Sequence, residues 1–149
     1  MRRLLTLFIC TMLITTLATP ALASEDVQVI SSEEIVLENG ITVTDEIIQV
    51  SQNRSTDKTY TRRRTFDKDG TVIAIIAFTV TYRYDGTTVS VVAKAVTQTD
   101  TYDGWSYTQQ SFTSSGGTVT LSGKLSKLLI FNNTFSMSMT CDKNGNISY

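Results

Sequence analysis

The chain has a single proline, Pro20, and from Ser24 onward it is punctuated by glycine alone. The glycines stand in Asn39-Gly40, Asp69-Gly70, Asp85-Gly86, Asp103-Gly104, Gly116-Gly117 and Asn144-Gly145, and only Gly123 falls outside such a pair. Glycine lacks a Cβ, so these pairs favour the positive φ angles that tight hairpins demand. Six such signals in one small domain predict a run of antiparallel strands.

The stretches between the turns alternate. In "TVIAIIAFTVTYRY" the even positions are Val72, Ala74, Ile76, Phe78, Val80, Tyr82 and Tyr84. The odd positions begin apolar at Ile73 and Ile75 and end polar at Thr79, Thr81 and Arg83. One face therefore stays buried while the other passes from covered to wet. As one strand the segment would reach roughly 46 Å at ~3.3 Å per residue, which predicts a bulge or a bend into a second sheet. After Asp85-Gly86, Val89, Val91, Ala93 and Ala95 fall on one side. Phe131, Phe135, Met137, Met139 and Cys141 share a parity, with Ser136, Ser138 and Thr140 opposite. Asn132-Asn133 reads either as a turn or as an interruption within one continuous strand. No segment after residue 23 carries a helical repeat. The reading is all-β: an antiparallel two-sheet sandwich, immunoglobulin-like, of seven or eight strands, with a meander β-barrel as the alternative.

The opening "MRRLLTLFICTMLITTLATPALA" has a basic start at Arg2 and Arg3, an apolar stretch from Leu4 to Leu17 and the small-x-small motif Ala21-Leu22-Ala23. That is the pattern of a secretory signal peptide cut between Ala23 and Ser24. The apolar stretch falls short of the ~20 residues that span a bilayer. Cleavage leaves 149 less 23, or 126 residues, which suits one domain with its own core. Residues 24–46 hold seven acids and no base, and 24–40 read as an acidic, flexible N-terminal segment ahead of a single β domain over 41–149. Loss of Arg2 and Arg3 leaves 11 bases against 14 acids, a net charge of −3. Cys10 departs with the signal, so Cys141 has no partner for an intramolecular disulfide.

"FTVTYRYDGTTVSVVAKAVTQTDTYDGWSYTQQSFTSSGGTVTLSGKL" and the ending "MTCDKNGNISY" resemble a group of small exported β-rich proteins of Gram-positive Firmicutes. The likeness covers roughly residues 58–149 and leaves out the acidic lead. It implies export and a β-rich domain. The group has no assigned activity, so the resemblance brings no catalytic residue with it.

Histidine is absent from the sequence, which excludes Ser-His-Asp and Cys-His nucleophile systems and most zinc sites. Cys141 lies on an apolar strand face and reads as a buried small hydrophobe, with an intermolecular disulfide as the other reading. "DKDGT" at 67–71 and "DKNGN" at 142–146 open like calcium loops, but neither has glycine at the sixth position or glutamate at the twelfth. Both are read as hairpin turns, and no metal or other cofactor is expected. A glycan-cleaving enzyme using two carboxylates remains the catalytic alternative, although Asp67, Asp69, Asp85, Asp103 and Asp142 all occupy turn positions.

Two candidate contact sites remain. In "TYDGWSYTQQ", Tyr102, Trp105 and Tyr107 could form a platform for sugar rings, with Gln109 hydrogen bonding. The competing and preferred reading makes Trp105 a core anchor. In "TRRRTFDK", Arg62 and Arg64 face one side and Arg63 the other. An anionic wall polymer or nucleic acid is the sharper reading of Arg62 and Arg64; a charged edge strand that resists pairing is the preferred one. Function is therefore read as contact: a secreted, non-catalytic binding module in the extracellular or cell-wall space. Its partner is a wall polymer, a glycan or a protein, with no nucleic acid and no membrane after signal cleavage. A secreted antimicrobial or inhibitory effector is a further alternative.

Overall fold

The computed structural model describes residues 26–37, 39–51, 57–128 and 131–149. Among them are nine strands: β1 (Asp26–Val36), β2 (Ile41–Ser51), β3 (Asp57–Lys68), β4 (Thr71–Tyr84), β5 (Val89–Thr101), β6 (Trp105–Ser115), β7 (Thr118–Lys127), β8 (Phe131–Cys141) and β9 (Ile147–Ser148). They form two antiparallel sheets, β1-β2-β3-β4-β5 and β6-β7-β8-β9, stacked as a sandwich and not closed into a barrel. Each sheet runs in sequence order, so the connectivity is two successive meanders without a Greek-key crossover.

Five of the six turn pairs join strands that pair as hairpins, whereas Asp103-Gly104, also expected to make a hairpin, carries the chain from β5 in one sheet to β6 in the other. Gly40, Gly70, Gly86, Gly104, Gly116 and Gly145 all have positive φ, and Asp69 and Asp103 beside two of them do as well. The inward rows then make one core. Ile41, Val43 and Ile47 of β2, Tyr60 and Phe66 of β3, and Ala74, Ile76, Phe78, Val80 and Tyr82 of β4 meet Val119, Leu121, Leu125, Met137 and Met139 from the other sheet. Ring contacts join the layers, Phe66 to Phe135 at 5.1 Å and Phe78 to Phe112 at 5.7 Å.

Three differences from the sequence reading, at Val72, at Ala93 and Ala95, and at residues 26–36, come from the extra residue of a bulge or from a pairing that alternation does not report. Of the bulge or bend expected in β4, the bulge is found, and the strand remains in one sheet for all its 14 residues. Ile73 is the first extra residue, since Phe66 pairs Ala74 while Asp67 pairs Val72. It reverses the alternation, so Ile73 is buried and Val72, expected inward, is exposed. Val92 is extra in β5, where Thr81 pairs Ala93 and Tyr82 pairs Val91. Val91 therefore packs on the core, whereas Ala93 and Ala95 turn outward and Lys94 and Val96 turn in. Of the two readings of Asn132 and Asn133, the continuous strand is the one found, for both lie inside β8. Finally, residues 26–36, expected within a flexible acidic segment, form β1 and pair with β2 from Asp26↔Ser51 to Val36↔Thr42. Five apolar residues with branched Cβ atoms among its eleven, Val27, Val29, Ile30, Ile35 and Val36, outweigh its acids. The expected signal cleavage between Ala23 and Ser24 lies outside the described residues.

The stacking order follows from contacts between the layers. Lys94 of β5 bonds Phe112 of β6, and Arg62 and Arg64 of β3 reach β8. β2 thus lies over the two-residue β9, and β1 lies beyond, tied to it where the Ser31 and Tyr149 hydroxyls meet.

Candidate functional site

Among the described residues, the fully buried charges, Asp45 and Arg62, stand together. The inward row of β2 reads Ile41, Val43, Asp45, Ile47, and that of β3 reads Tyr60, Arg62, Arg64, Phe66. Register sets Asp45 opposite Arg64. Arg64 grips it through Nε to Oδ1 at 2.8 Å and through Nη2 to Oδ2, while Arg62 Nη2 reaches Oδ2 at 3.0 Å. Burial alone would push the Asp45 carboxyl up, but the hydrogen bonds and charges of Arg64, then Arg62, together outweigh it and hold it below the usual carboxylate range. Burial draws the Arg62 guanidinium down, against the pull of Asp45.

The two arginines also serve the neighbouring sheet. β9 pairs β8 only at Thr140↔Ser148 and Cys141↔Ile147, leaving the rest of that edge without a strand among the described residues. Arg62 Nη1 donates to the Ser138 carbonyl and Arg64 Nη1 to the Ser136 carbonyl at 3.2 Å. Side chains thus cap the backbone that β9 does not reach. Arg63 points outward to Glu46, with Nε to Oε2 at 2.8 Å. The parity expected for the three arginines holds. The edge-strand reading does not, because β3 is the middle strand of its sheet. Arg62 is only 5% exposed and is spent inside the protein.

The aromatic patch is divided between inside and outside. Trp105 is 7% exposed, packs into the core and lies 6.2 Å from the Phe131 ring. Tyr107 is half-buried and stacks on Phe135 at 6.0 Å. Both rings close over Gly123, where a Cβ would collide with Tyr107. Burial pushes the Tyr107 hydroxyl up, and that hydroxyl finds no hydrogen-bond partner. Only Tyr102, 44% exposed, and Gln109 face solvent. Tyr102 borders an open apolar hollow of about 430 Å³ with Val72, Ile75, Thr71 and Asp103. That hollow has a wide mouth and no convergent set of polar groups, so it lacks the means to orient a ligand.

A smaller cleft of about 210 Å³ lies on the opposite side, where β1 and β2 extend past β8. Ile35, Leu37, Val43 and Phe66 form its apolar wall. Arg64 and the β8 residues Asn133, Thr134, Phe135 and Ser136 complete it. Asn133 brings a side-chain Nδ2 that is buried and has no acceptor. Sequence reasoning missed this cleft. The signal that was present is an acid and two bases standing in otherwise apolar inward rows.

The turn acids are occupied locally. Asp67 Oδ1 accepts from the Gly70 N–H at 2.9 Å. Asp85 accepts from Thr88 and Thr87, which hold its carboxyl below the usual range. Asp142 accepts from the side chain and backbone of Asn146 and from Asn144, and is lowered in the same way. Cys141 is buried, and burial with the nearby charge of Asp142 pushes its thiol up to about 11. Little thiolate exists at neutral pH. No family model, curated protein or solved structure matches the chain.

Proposed function

We propose that the chain is a secreted, non-catalytic binding domain, released from its signal peptide between Ala23 and Ser24 and acting by contact in the extracellular or cell-wall space. The observation that supports this reading most is the open side of the sandwich. There the free edge of β8 and the overhanging β1 and β2 enclose the cleft beside Arg64 and Asn133. Edges and clefts of this kind suit an extended chain laid against a sheet. A polypeptide partner is favoured over a glycan, since Trp105 and Tyr107 are packed inward and leave no aromatic platform. Catalysis by paired carboxylates is disfavoured by the engagement of Asp45, Asp67, Asp85 and Asp142 in ion pairs and turns. The likeness to small exported proteins of Gram-positive Firmicutes agrees with export.

The test is to express the full chain in a Gram-positive host and fractionate the culture. A mature N-terminus at Ser24, recovery in the medium or wall fraction, retention on cells and no turnover of a glycan panel are expected. Cytosolic retention, or hydrolysis of any glycan, would overturn the reading. Growth inhibition of neighbouring strains would move it to an antimicrobial effector.

A further inference from the structure

The cleft at the β8 edge carries a more definite chemistry, whose assignment rests on the domain having a binding role. Its charge does not balance. Arg62 and Arg64 share the single carboxylate of Asp45, so the buried cluster keeps one surplus positive charge. Glu33 stands next in the same row, opposite Asp45 on β1, but it is exposed and forms no ion pair with either arginine. The Arg62 guanidinium is covered by the Tyr149 ring at 5.2 Å. Arg64 is the member that borders the cleft.

Two further features of the cleft lack partners, one a side-chain donor and the other a strand edge. Asn133 points inward, being opposite Leu125 on the buried row of β7, and its Nδ2 is buried without a partner. A buried orphan donor is costly to keep unpaired, a cost that an acceptor in the cleft would remove. The backbone supplies the other. Ser136 and Ser138 turn their carbonyls to the open edge, where the arginines meet them. The strand repeat of two sends the backbone of Thr134 and Asn132 to that edge as well. Beyond Arg64, among the described residues, no strand pairs with them.

We propose that this cleft binds the C-terminal residue of an extended polypeptide that adds to the free edge of β8. Its carboxylate accepts from Arg64 and from Asn133 Nδ2, and its apolar side chain lies against Ile35, Val43 and Phe66. The backbone of the preceding residues pairs with Thr134 and Asn132, in the place a longer β9 would fill. Each part answers a feature of the cleft: the anion the surplus charge, the carboxylate oxygen the orphan amide, the extended backbone the unpaired edge. A volume of about 210 Å³ suits one side chain with its carboxylate rather than a larger ligand.

The experiment titrates the ¹⁵N-labelled exported protein with the peptide acetyl-Thr-Val-Thr-Leu as the free acid, with its C-terminal amide, and with 4-methylpentanoic acid. The free-acid peptide is expected to shift the Thr134 backbone amide and the Asn133 side-chain amide saturably. The amide should bind about tenfold or more weaker, the range expected for losing one charged contact. The small acid, which keeps the carboxylate and loses the backbone, should weaken by a similar factor. Asn133→Asp should lower affinity for the free acid by about tenfold, and Asn133→Leu, which removes the orphan donor without adding charge, should lower it while leaving the fold intact. Equal binding of acid and amide overturns the carboxylate assignment. Small-acid binding as tight as the peptide's overturns strand addition. No shift at millimolar peptide with an intact spectrum overturns the proposal, as do shifts confined to the hollow at Tyr102. Retention on cells without peptide binding would remove this inference alone. Loss of both would remove the binding role as well.

Discussion

The two long sides of the sandwich are closed by different means. On the β5/β6 side the chain itself crosses between the sheets, with Tyr102 N–H bonding the Ile73 carbonyl at 2.9 Å and Trp105 N–H the Tyr102 carbonyl at 3.0 Å. Lys94 points inward, donates to the Phe112 carbonyl at 2.9 Å and covers the Phe112 ring. Extra residues at Val92, Thr97 and Gln110 bulge both edge strands. Bulges and inward-pointing charge are devices that keep an edge from pairing. On the β1/β8 side no chain crosses among the described residues. β1 exposes Val27, Val29, Ile30, Ile35 and Val36 and carries no base. The β8 edge is capped by two arginine side chains, which satisfy carbonyls without filling the volume a strand would fill. A covalent crossing ties the two sheets together and leaves beside it a hollow without converging polar groups, whereas side-chain capping leaves a cleft that has them.

That contrast can be broken from either side. Trp105→Ala should empty the closed side at a cost of about 3–5 kcal/mol, as for other buried tryptophans, read by urea unfolding. Wild-type Trp105 fluorescence should be blue-shifted and resistant to iodide. Asp45→Asn should cost a comparable ~3–5 kcal/mol on the open side, because it leaves two arginines without their counter-charge. If charge balance is what matters there, Asp45→Leu combined with Arg62→Met and Arg64→Leu should recover most of that loss.

Gly123→Ala should cost about 1–3 kcal/mol through overpacking, since its Cβ meets the Tyr107 and Phe135 rings. Acid gives a graded version of the Asp45 experiment. Its folded pKa lies below the unfolded value of about 3.9. The stabilisation is therefore complete above that value and is lost as pH falls through the lower folded value. Unfolding midpoints should hold from pH 7 to 5 and drop below about pH 4, with a smaller drop in Asp45→Asn. Asn133→Leu should be the mildest change, neutral or slightly stabilising in the same unfolding assay, because it removes an unsatisfied donor.

The fold was legible because its signals are local. A turn glycine needs only its neighbours, and alternation needs only the next residue but one, so strands, five of the hairpins and the inward row from Ala74 to Tyr82 could be read directly. Alternation failed at Val72, Ala93 and Ala95 because a bulge is set by the partner strand. The arginine row shows the same division. Parity alone separated Arg63 from Arg62 and Arg64, but whether those two faced a ligand, solvent or the core depended on β8 arriving opposite β3. Trp105 was assignable to the core on the cost of exposing a large apolar ring, while the split of Tyr102 from Tyr107 was not.

The sequence by itself determined the all-β class, five of the hairpin turns and, between bulges, which side chains share a face, since backbone sterics and a repeat of two act over a few residues. Tertiary structure alone decided that β1 joins the sheet, that Asp45, Arg62 and Arg64 meet, and that a cleft remains beside them. Those outcomes depend on register and on how far one sheet extends past the other, which are set by contacts between residues distant in the chain.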